Sequence, residues 1–411
     1  MVNILHIGEF AGGGGDGTVF RNTVQALEQA PFRGRCRNYV ACRKTEGLAV
    51  KVDLDMGFPG PVAFLSHIYS RGNFRKLKKF LLEIQPDIIH LQHYSNLSPA
   101  VLHALYSYKK RRPEVRVVQT THTFERVCAN FAGYDFRKRK RCMDCARDKY
   151  KYRIFYRLCS RGGAVHSWGK GLTALIADFF YNKGLVDSII APSAFLRHAL
   201  ERSVNNRTPL QTISNPISDA FLNRTAPAAD KRDLLVAFGR LSGEKNYALL
   251  IEALARYKQQ YYHRRPIRVK IIGEGAEKPR LVSMVKEKGL EFVQFLPFLP
   301  QEELAEEIKA ARVAVLPSKC FETFALFVIE ALMMDILPLV AGHGGMLETV
   351  ERFGCGATFA SDDVHSLTER LFHCFENYEA LTSGLVAAKE KIKASLGRDL
   401  YAGKLWEVYR G

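Results

Sequence analysis

The feature that most constrains the fold of this chain is a regular alternation of short apolar runs and longer helical stretches, which occurs twice. The apolar runs are rich in β-branched residues and apolar on both faces, which is typical of parallel strands that helices cover on both sides. Polar and small residues without periodicity interrupt the pattern once, at 223–230. The pattern therefore predicts an α/β fold of two tandem, Rossmann-like, doubly wound parallel-sheet domains. The predicted strands are 2–7, 38–41, 88–91, 115–120, 188–191 and 210–214, then 234–238, 269–272, 292–295, 313–316 and 337–341; the predicted helices include 19–28, 74–84, 100–110 and 193–202, then 247–259, 278–288, 302–310 and 324–334.

The length of the chain and the single interruption set the predicted domain boundaries. A chain of 411 residues exceeds one ordinary core and suits two domains of about 200 residues each. We predict an N-terminal domain over 1–222 and a C-terminal domain over 231–395. Parallel sheets bind ligands beyond the carboxyl ends of their strands, so two such domains facing each other would enclose a cleft suited to two substrates.

Positive charge is concentrated in the first half of the chain. Residues 1–210 contain 34 Lys and Arg against 16 Asp and Glu, whereas 211–411 contain 26 of each. This asymmetry favours an anionic partner for the first half, either a phospholipid surface or nucleic acid. A solvated basic surface without a partner is the alternative.

The sequence shows no signal for export or membrane insertion. Met1 leads directly into the first apolar run, without a basic leader or a cleavage site. The longest apolar stretch, 324–342, contains Glu330 and Asp335, which argues against a transmembrane span. The nine cysteines then point to free thiols in a reducing cytosol.

A glycine-rich segment follows the first predicted strand. Gly12, Gly13, Gly14 and Gly15 precede a predicted helix. Glycines allow a close backbone approach, and unpaired N–H groups at a helix N-terminus attract anions. Such runs are also common as simple turns, so ligand binding and a turn both stay open. The spacing is not that of a dinucleotide fingerprint, which disfavours a nicotinamide cofactor.

Two cations follow the first strand of the second domain. Arg240 and Lys245 lie between the strand 234–238 and the next helix, which is where parallel sheets bind ligands. Fixed cations at this place suit a diphosphate, and a guanidinium can bind it with two hydrogen bonds. Taken singly, each residue is more often a surface charge.

Two carboxylates eight residues apart form the most specific signal. Glu322 lies in a predicted loop, and Glu330 lies about two turns into the following helix. The flanks of Glu330 are apolar all round, and burial of an unpaired charge is costly. An exposed polar stripe does not explain this pattern, whereas ribose hydroxyls would satisfy the carboxylate.

These segments, in this order, resemble retaining glycosyltransferases of family four, glycosyl transferases group 1, which have the GT-B architecture. The resemblance extends along essentially the whole chain, and its combined order is far more specific than any single piece. In the second half it rests on Gly239-Arg240, Glu244-Lys245, Ile271-Ile-Gly-Glu-Gly275, Leu316-Pro-Ser318 and the pair Glu322 and Glu330; in the first half on Ile88-Ile-His90-Leu-Gln-His93, Thr120-Thr-His122, Ala191-Pro-Ser193 and Ser214-Asn-Pro-Ile217.

The resemblance implies a role for each candidate site residue. Arg240 and Lys245 would bind the donor diphosphate, as would the backbone of Gly12, Gly13, Gly14 and Gly15 from the opposite domain. Glu330 would bind the ribose, Glu322 the hydroxyls of the transferred sugar, and His122 would lie at the reaction centre. Phe324 and Ala325, at the start of the helix, would complete the donor site. A final helix over 396–411 would return to the N-terminal domain, as in similar proteins.

Two departures from the common pattern concern the donor loop and the following turn. Ala325 stands where the family frequently has glycine, and Asp335-Ile-Leu-Pro338 lacks the glycine that often precedes the proline.

Cations and a helix N-terminus can stabilise the leaving diphosphate, so we expect neither a cofactor nor a catalytic divalent metal. Asp53-Leu-Asp55, the one Asp-x-Asp sequence, is interpreted as a surface loop rather than a metal site.

An insertion at about 123–170 combines cysteines with basic and aromatic residues. A structural zinc site and inert or acceptor-loop thiols are both open for Cys128, Cys142, Cys145 and Cys159. Cys142 and Cys145 lie within the basic segment 137–157, which is expected to lower their thiol pKa values. A basic run at 137–141 precedes a stretch at 149–157 in which basic and aromatic residues are interleaved, which suits a membrane interface, single-stranded nucleic acid or a solvated loop.

The sequence therefore predicts a retaining glycosyltransferase with a UDP- or GDP-sugar donor and a lipid-linked saccharide acceptor. The resemblance implies bacterial surface polysaccharide synthesis, peripherally on the inner face of the cytoplasmic membrane, on an anionic surface. One alternative is a GT-B sugar-nucleotide epimerase or phosphorylase. Another is a basic nucleic-acid-binding protein, which the Glu322 and Glu330 pattern disfavours; we predict no nucleic-acid partner.

Overall fold

The chain forms two compact units in a computed structural model, which describes residues 1–10, 14–29, 32–44, 50–57, 63–204, 207–222 and 231–411. One unit comprises Met1–Pro216 with Arg398–Gly411, and the other comprises Ile217–Gly397. Each unit contains a parallel sheet with packed helices, so the prediction of two parallel-sheet α/β domains is confirmed. None of the described helices is long and apolar enough to cross a bilayer.

The first unit is built on a seven-stranded sheet. Its pairs are all parallel, and its strand order is β3-β2-β1-β4-β5-β8-β9. A separate antiparallel pair, β6 and β7, forms a small hairpin. The strands are β1 (Val2–Phe10), β2 (Cys36–Arg43), β3 (Leu54–Asp55), β4 (Ile88–Leu91), β5 (Arg116–Thr120), β6 (Tyr134–Asp135), β7 (Lys140–Arg141), β8 (Ser188–Ala191) and β9 (Leu210–Thr212); the helices are α1 (Gly14–Glu28), α2 (Ala63–Ile68), α3 (Arg71–Ile84), α4 (Ala100–Lys109), α5 (Arg153–Arg157), α6 (Gly163–Asn182) and α7 (Ala194–Glu201), with a 3₁₀ turn at Asp144–Arg147.

The second unit is built on a six-stranded parallel sheet with strand order β12-β11-β10-β13-β14-β15. Its central strands are buried on both faces, as their apolar sequences require. Its elements are α8 (Asp219–Leu222), β10 (Arg232–Phe238), α9 (Tyr247–Gln260), β11 (Arg268–Ile272), α10 (Lys278–Glu287), β12 (Val293–Leu296), α11 (Gln301–Ile308), β13 (Ala311–Leu316), α12 (Leu326–Met333), β14 (Leu337–Ala341), α13 (Gly344–Phe353), β15 (Ala357–Phe359), α14 (Val364–Glu376), α15 (Tyr378–Thr382) and α16 (Leu385–Leu396).

The last helix, α17 (Arg398–Arg410), packs on the sheet of the first unit. Its apolar side chains join a core cluster that includes Ile4 and Val118. Two buried hydrogen bonds fix it, because the Tyr409 hydroxyl lies 2.7 Å from His90 Nδ1 and the Tyr401 hydroxyl lies 2.9 Å from Thr23 Oγ1.

Two sequence interpretations change against this structure. Residues 217–222, which the sequence pattern assigned to the first domain, lie in the second unit, and the interruption at 223–230 lies outside the described residues. Asp53 and Asp55 are not in a simple surface loop, because Leu54–Asp55 pairs with β2. Their carboxylates accept hydrogen bonds from the backbone N–H groups of Val40, Lys44 and Gly57. Both side chains therefore stabilise the edge of the sheet.

Candidate functional site

The carboxyl ends of four strands in the second unit bring their loops together. Backbone hydrogen bonds join the loop after β10 to the loop after β11, through Leu241 N and Glu274 O at 2.8 Å. Lys319 N donates to Glu244 O at 3.0 Å, which joins the loop after β13. Gly345 N donates to Glu322 O at 3.0 Å, which adds the start of α13. The predicted donor-site residues of this unit lie in or beside these loops.

Two glycines make the close approach of the first two loops possible. Gly273 and Gly275 have φ angles of +146° and +158°. A Cβ atom on Gly273 would lie 2.0 Å from Gly239 O, and one on Gly275 would lie 2.2 Å from Leu241 O. No side chain fits at either position, because the obstructing atoms belong to the backbone.

Lys245 and Glu322 form an ion pair within these loops. Lys245 Nζ lies 2.8 Å from Glu322 Oε1, and each side chain is about a fifth exposed, at 21% and 22%. Ser318 Oγ donates to the same oxygen at 2.8 Å. Burial disfavours the charge of Glu322, but the charge and hydrogen bond of Lys245, together with Ser318, outweigh it and lower the Glu322 pKa. Both groups are therefore held charged and oriented.

Glu330 lies on α12 among buried apolar residues and is itself half-buried. Burial raises its pKa to about 7. Within the described part of the chain its carboxylate has no ion pair or side-chain hydrogen bond. An incompletely solvated carboxylate without a partner gains from hydroxyl donors of a ligand.

Arg240 has the most accessible charge of the candidate residues. Its side chain is 70% exposed and contacts Glu244 at 3.2 Å. Such a surface pair contributes little to stability. The guanidinium can therefore turn towards an anion without disturbing the fold.

The helix beside this loop begins one residue after the predicted pair Phe324 and Ala325. Ala325 is the N-cap of α12 with φ −88°, and its side chain makes no capping hydrogen bond. The first N–H groups of a helix lack intrahelical partners and carry partial positive charge. Because φ is negative at Ala325, the alanine that replaces the common glycine fits without backbone strain.

His122 lies in the first unit, just after β5. It is buried, and its Nε2 lies 3.2 Å from Gln92 Oε1, in the segment that follows β4. Gln92 Nε2 is buried without a hydrogen-bond partner among the described residues. The two side chains lie beyond the carboxyl ends of neighbouring strands, as expected for ligand-binding positions in a parallel sheet.

A contact between a glutamate and a histidine at the same edge of the first sheet was not predicted from the sequence. Glu9, in the last part of β1, lies 3.0 Å from His93 Nε2, and Ser95 and Asn96 also donate to its carboxylate. Burial disfavours the Glu9 charge, but His93, Asn96 and Ser95 outweigh it and lower the Glu9 pKa. A carboxylate inside an apolar strand was the available signal, comparable to the one that identified Glu330.

The glycine-rich segment is only partly described. Gly12 and Gly13 lie outside the described residues, whereas Gly14 and Gly15 begin α1. A helix is present where one was predicted, but it includes the last glycines, because it starts at Gly14 rather than at residue 19.

The four cysteines of the insertion have free thiols. Cys145 and Cys159 pack in a small apolar cluster, and Cys128 Sγ donates to Asn130 Oδ1 at 3.0 Å. Within the described ranges, no group of three or more His, Cys, Asp or Glu is arranged to hold a metal ion. The expectation of a lowered thiol pKa is wrong for Cys145, because burial raises its pKa to about 12. Burial also raises the pKa of Cys128 and Cys159 to about 11.

Comparisons with known proteins agree with this arrangement. The two parallel-sheet α/β units match the GT-B fold. Residues 13–221 match Glycosyltransferase Family 4, and residues 220–384 match Glycosyl transferases group 1. The chain belongs to Glycosyltransferase Family 4.

Individual similarities are more distant. The fold is similar to a sucrose-phosphate synthase from Thermosynechococcus elongatus, at a TM-score of 0.73 and 18% identity over 100% of this chain and 98% of that one. It is also similar to HepE from Anabaena, which was solved in complex with UDP and glucose. The TM-score is 0.70 and the sequence identity is 16% over 100% of both chains. A stretch of 190 residues is 27% identical to an exopolysaccharide phosphotransferase from Streptomyces coelicolor; it spans 45% of this chain and 19% of that relative.

Proposed function

We propose that this glycosyltransferase transfers a hexose-type sugar from a UDP- or GDP-sugar with retention of anomeric configuration. The observation that carries the proposal is the contrast between the two carboxylates of the second unit. Glu322 is held ionised by Lys245 at 2.8 Å, whereas Glu330 lies half-buried without a partner in the described chain. Ribose hydroxyls donate hydrogen bonds of the kind that Glu330 lacks. A UDP-bound structure of similar fold supports a nucleotide donor.

The charges of the second unit can stabilise the leaving diphosphate. Arg240 would bind it through an exposed guanidinium, and Lys245 would add a second positive charge. The start of α12, beyond Phe324 and Ala325, adds the partial positive charge of a helix N-terminus. Preorganised groups of this kind act most strongly on charge that develops in the transition state.

This proposal includes no divalent metal and no cofactor. The positive charge that a cation would supply can come from Arg240, Lys245 and the start of α12. Asp53 and Asp55 do not compete for that role, since their carboxylates accept backbone N–H groups at the edge of the first sheet.

Glu322 would bind hydroxyls of the transferred sugar through the oxygen that Lys245 and Ser318 leave open. In the first unit, His122 would lie at the reaction centre, held by Gln92. The backbone of Gly12 to Gly15 would approach the phosphates. These roles are proposed for the residues of this chain that match the family's motifs.

The acceptor in this proposal is a lipid-linked saccharide of a bacterial surface polysaccharide: lipopolysaccharide, capsule or exopolysaccharide. The enzyme would work in the cytoplasm, peripherally on the inner face of the cytoplasmic membrane. The basic first half supports an anionic surface as partner. The similarity of one stretch to an exopolysaccharide-related protein supports the polysaccharide context.

A panel of UDP- and GDP-sugars in a thermal shift assay tests the donor class. A ligand that binds the native state raises apparent stability, by about 2.7 kcal/mol at a hundredfold excess over Kd. We expect one nucleotide series to raise the melting temperature. The anomeric configuration of the product, read by NMR, then tests retention, and inversion relative to the donor would contradict it.

A further inference from the structure

The outer face of α6 carries large apolar side chains, while most of the side chains on its inner face are small. Val165, Trp168, Leu172 and Phe179 lie at spacings of three, four and seven residues, on one side of this 20-residue helix. All four are exposed, with Trp168 at 54%. Most residues of the face that packs against the unit are small, and three larger ones are buried at its end: Ser167, Gly169, Gly171, Thr173, Ala174 and Ala177, then Asp178, Phe180 and Tyr181. Burial of apolar area favours the opposite arrangement, so the outer face has the composition of a contact surface.

Helix α5 extends this apolar face. The rings of Phe155 and Trp168 contact each other at 5.0 Å. A Cβ on Gly171 would lie 2.6 Å from the Phe155 ring, so the glycine permits the close packing of the two helices. Tyr152, the N-cap of α5, and Tyr156 within it are also exposed, at 51% and 59%. Trp and Tyr are the residues enriched at the boundary between bilayer and water.

Cations lie at both ends of this face. At its start, Arg137 and Arg161 line a cavity of about 300 Å³ together with the first residues of α6. At its end, the Lys183 ammonium lies 5.8 Å from the Phe179 ring. The exposed hairpin residues 137–140 add further positive charge beside the start of the helix.

Acidic groups are scarce along the same segment. Residues 149–183 contain seven Lys and Arg and one acid, Asp178. Asp178 is buried in an ion pair with Lys151, and Arg153 and Arg157 pair with Asp148 and Asp144 just before this segment, so these charges balance one another. The exposed charge of this face is therefore positive.

We propose that the outer face of α6, with the exposed tyrosines of α5, is the surface by which the protein inserts into the interface of an anionic lipid bilayer. Apolar side chains would enter the boundary between headgroups and acyl chains, and the cations would contact anionic headgroups. A second copy of the chain fits this face poorly, because it would bring positively charged ends together. The inference rests on the membrane-surface part of the proposed function and is independent of donor chemistry.

Tryptophan fluorescence tests the insertion directly, because the chain has two tryptophans. Trp406, in α17, is half-buried and packs against Phe32. The variant Trp406→Phe therefore leaves Trp168 as the one tryptophan whose fluorescence is measured. With vesicles of phosphatidylglycerol and phosphatidylcholine, we expect a blue shift of Trp168 emission and quenching by lipids brominated near the headgroup. Phosphatidylcholine vesicles alone should give much weaker changes.

Co-sedimentation of Leu172→Ser/Phe179→Ser with the anionic vesicles measures the apolar contribution. We expect about tenfold weaker binding or more, because each serine removes apolar area from the interface. The matched control is Phe298→Ser in the second unit, since Phe298 is 59% exposed and should leave vesicle binding unchanged. Melting curves verify that each variant is folded. A thermal shift with the nucleotide-sugar donor verifies that the second unit still binds its ligand. Failure of this proposal can therefore be distinguished from failure of the donor assignment.

Several outcomes would overturn the proposal. The first is an absence of vesicle binding, and the second is binding without a change in Trp168 emission, which would show adsorption through cations alone. A third is tight binding of an oligonucleotide without vesicle binding. A fourth is a concentration-dependent dimer that Leu172→Ser/Phe179→Ser dissociates, which would assign the face to a second copy.

Discussion

Glu330 is a carboxylate whose surroundings disfavour its charge, and this has a measurable cost while no ligand is bound. Burial raises its pKa from an ordinary 4.5 to about 7 in the folded state. The folded protein therefore holds this proton more tightly than the unfolded chain. Stability is lost as pH rises through the window from 4.5 to 7, and the loss is complete above it.

Glu330→Gln should therefore stabilise the ligand-free protein above pH 7. The expected gain in unfolding free energy is at most about 3 kcal/mol at pH 8, and it should vanish below pH 4.5. Urea unfolding at several pH values measures it. Glu379→Gln, at an exposed position on α15, is the control and should show no such pH dependence. A pH-independent difference for Glu330→Gln would contradict the burial account.

Arg240→Ala should reduce turnover strongly and stability little. The exposed pair with Glu244 contributes little to folding, whereas loss of one transition-state donor costs about 10²–10³-fold in rate. Steady-state kinetics beside a melting curve measures both effects. Arg280→Ala, which removes another exposed arginine paired with Glu277, should leave both unchanged. Activity that falls only with the folded fraction would remove Arg240 from the site.

Lys245→Ala should reduce both turnover and stability, because Lys245 neutralises Glu322. Without it, a poorly solvated carboxylate loses its counter-charge, and we expect turnover to fall at least as far as in Arg240→Ala. The same kinetic and melting measurements apply. A Lys245→Ala variant with normal turnover would show that the ion pair has no part in transfer.

The single residues that sequence reasoning identified were those whose charge conflicts with an apolar context. Glu330 was recognisable because its flanks are apolar on every side. Ser318, which orients Glu322, could not be recognised from its chemistry alone, because its role depends on a loop conformation. The shift of the Cys145 pKa was predicted in the wrong direction, since neighbouring cations in the sequence indicate charge but not burial.

At the scale of elements, the loops of the second unit depend on glycines that allow backbone to contact backbone. Gly273 is the clearest example, because any side chain would collide with the Gly239 carbonyl. The collision cannot be relieved by rotating a side chain. The loops after β10 and β11 would have to separate, and they position Arg240 and Lys245.

Gly273→Ala should therefore destabilise the second unit and weaken donor binding together. We expect a loss of roughly 1–3 kcal/mol, from strain at a positive φ and from the displaced carbonyl. Gly243→Ala is the matched control in the neighbouring loop, since a Cβ added there would have no other described atom within 4 Å beyond its chain neighbours. Chemical denaturation measures the unfolding free energy of both variants. Equal unfolding free energies for Gly273→Ala and Gly243→Ala would show that the loops accommodate the methyl group.

Most strands were predictable because parallel strands buried on both faces are nearly continuous apolar runs. The runs 88–91, 188–191 and 337–341 coincide with β4, β8 and β14. Helix α6 was not predicted, because three glycines lower its helix propensity and its large apolar residues face outward. A method that expects apolar residues to face the core has no signal for such a helix.

At the scale of the whole molecule, the last helix, α17, completes the first unit from the far end of the sequence. Tyr409 links it to His90 in the centre of that sheet, at 2.7 Å. Its return to the first unit was implied by family resemblance. Nothing in its own sequence specifies which core it joins, because an apolar helix face fits many surfaces.

Tyr409→Phe should destabilise the first unit by about 1–3 kcal/mol, because it leaves a buried His90 nitrogen without a partner. Tyr261→Phe is the control, since the Tyr261 ring stacks on Phe372 and its hydroxyl has no hydrogen bond among the described residues. Hydrogen exchange should show the change in β1, β4 and α17, while the second unit keeps its protection. Uniform loss of protection across both units would contradict independent stabilisation.

The central claim is that a nucleotide-sugar donor binds at the carboxyl edge of the second sheet and uses Glu330 for the ribose. Isothermal titration of UDP and GDP into the wild-type protein, Glu330→Gln and Glu379→Gln tests it most directly. We predict one binding site in the wild type for one of the two nucleotides, about tenfold or weaker affinity in Glu330→Gln, and unchanged affinity in Glu379→Gln. Equal affinity in a folded Glu330→Gln variant, or no binding of either nucleotide to the wild type, would contradict it.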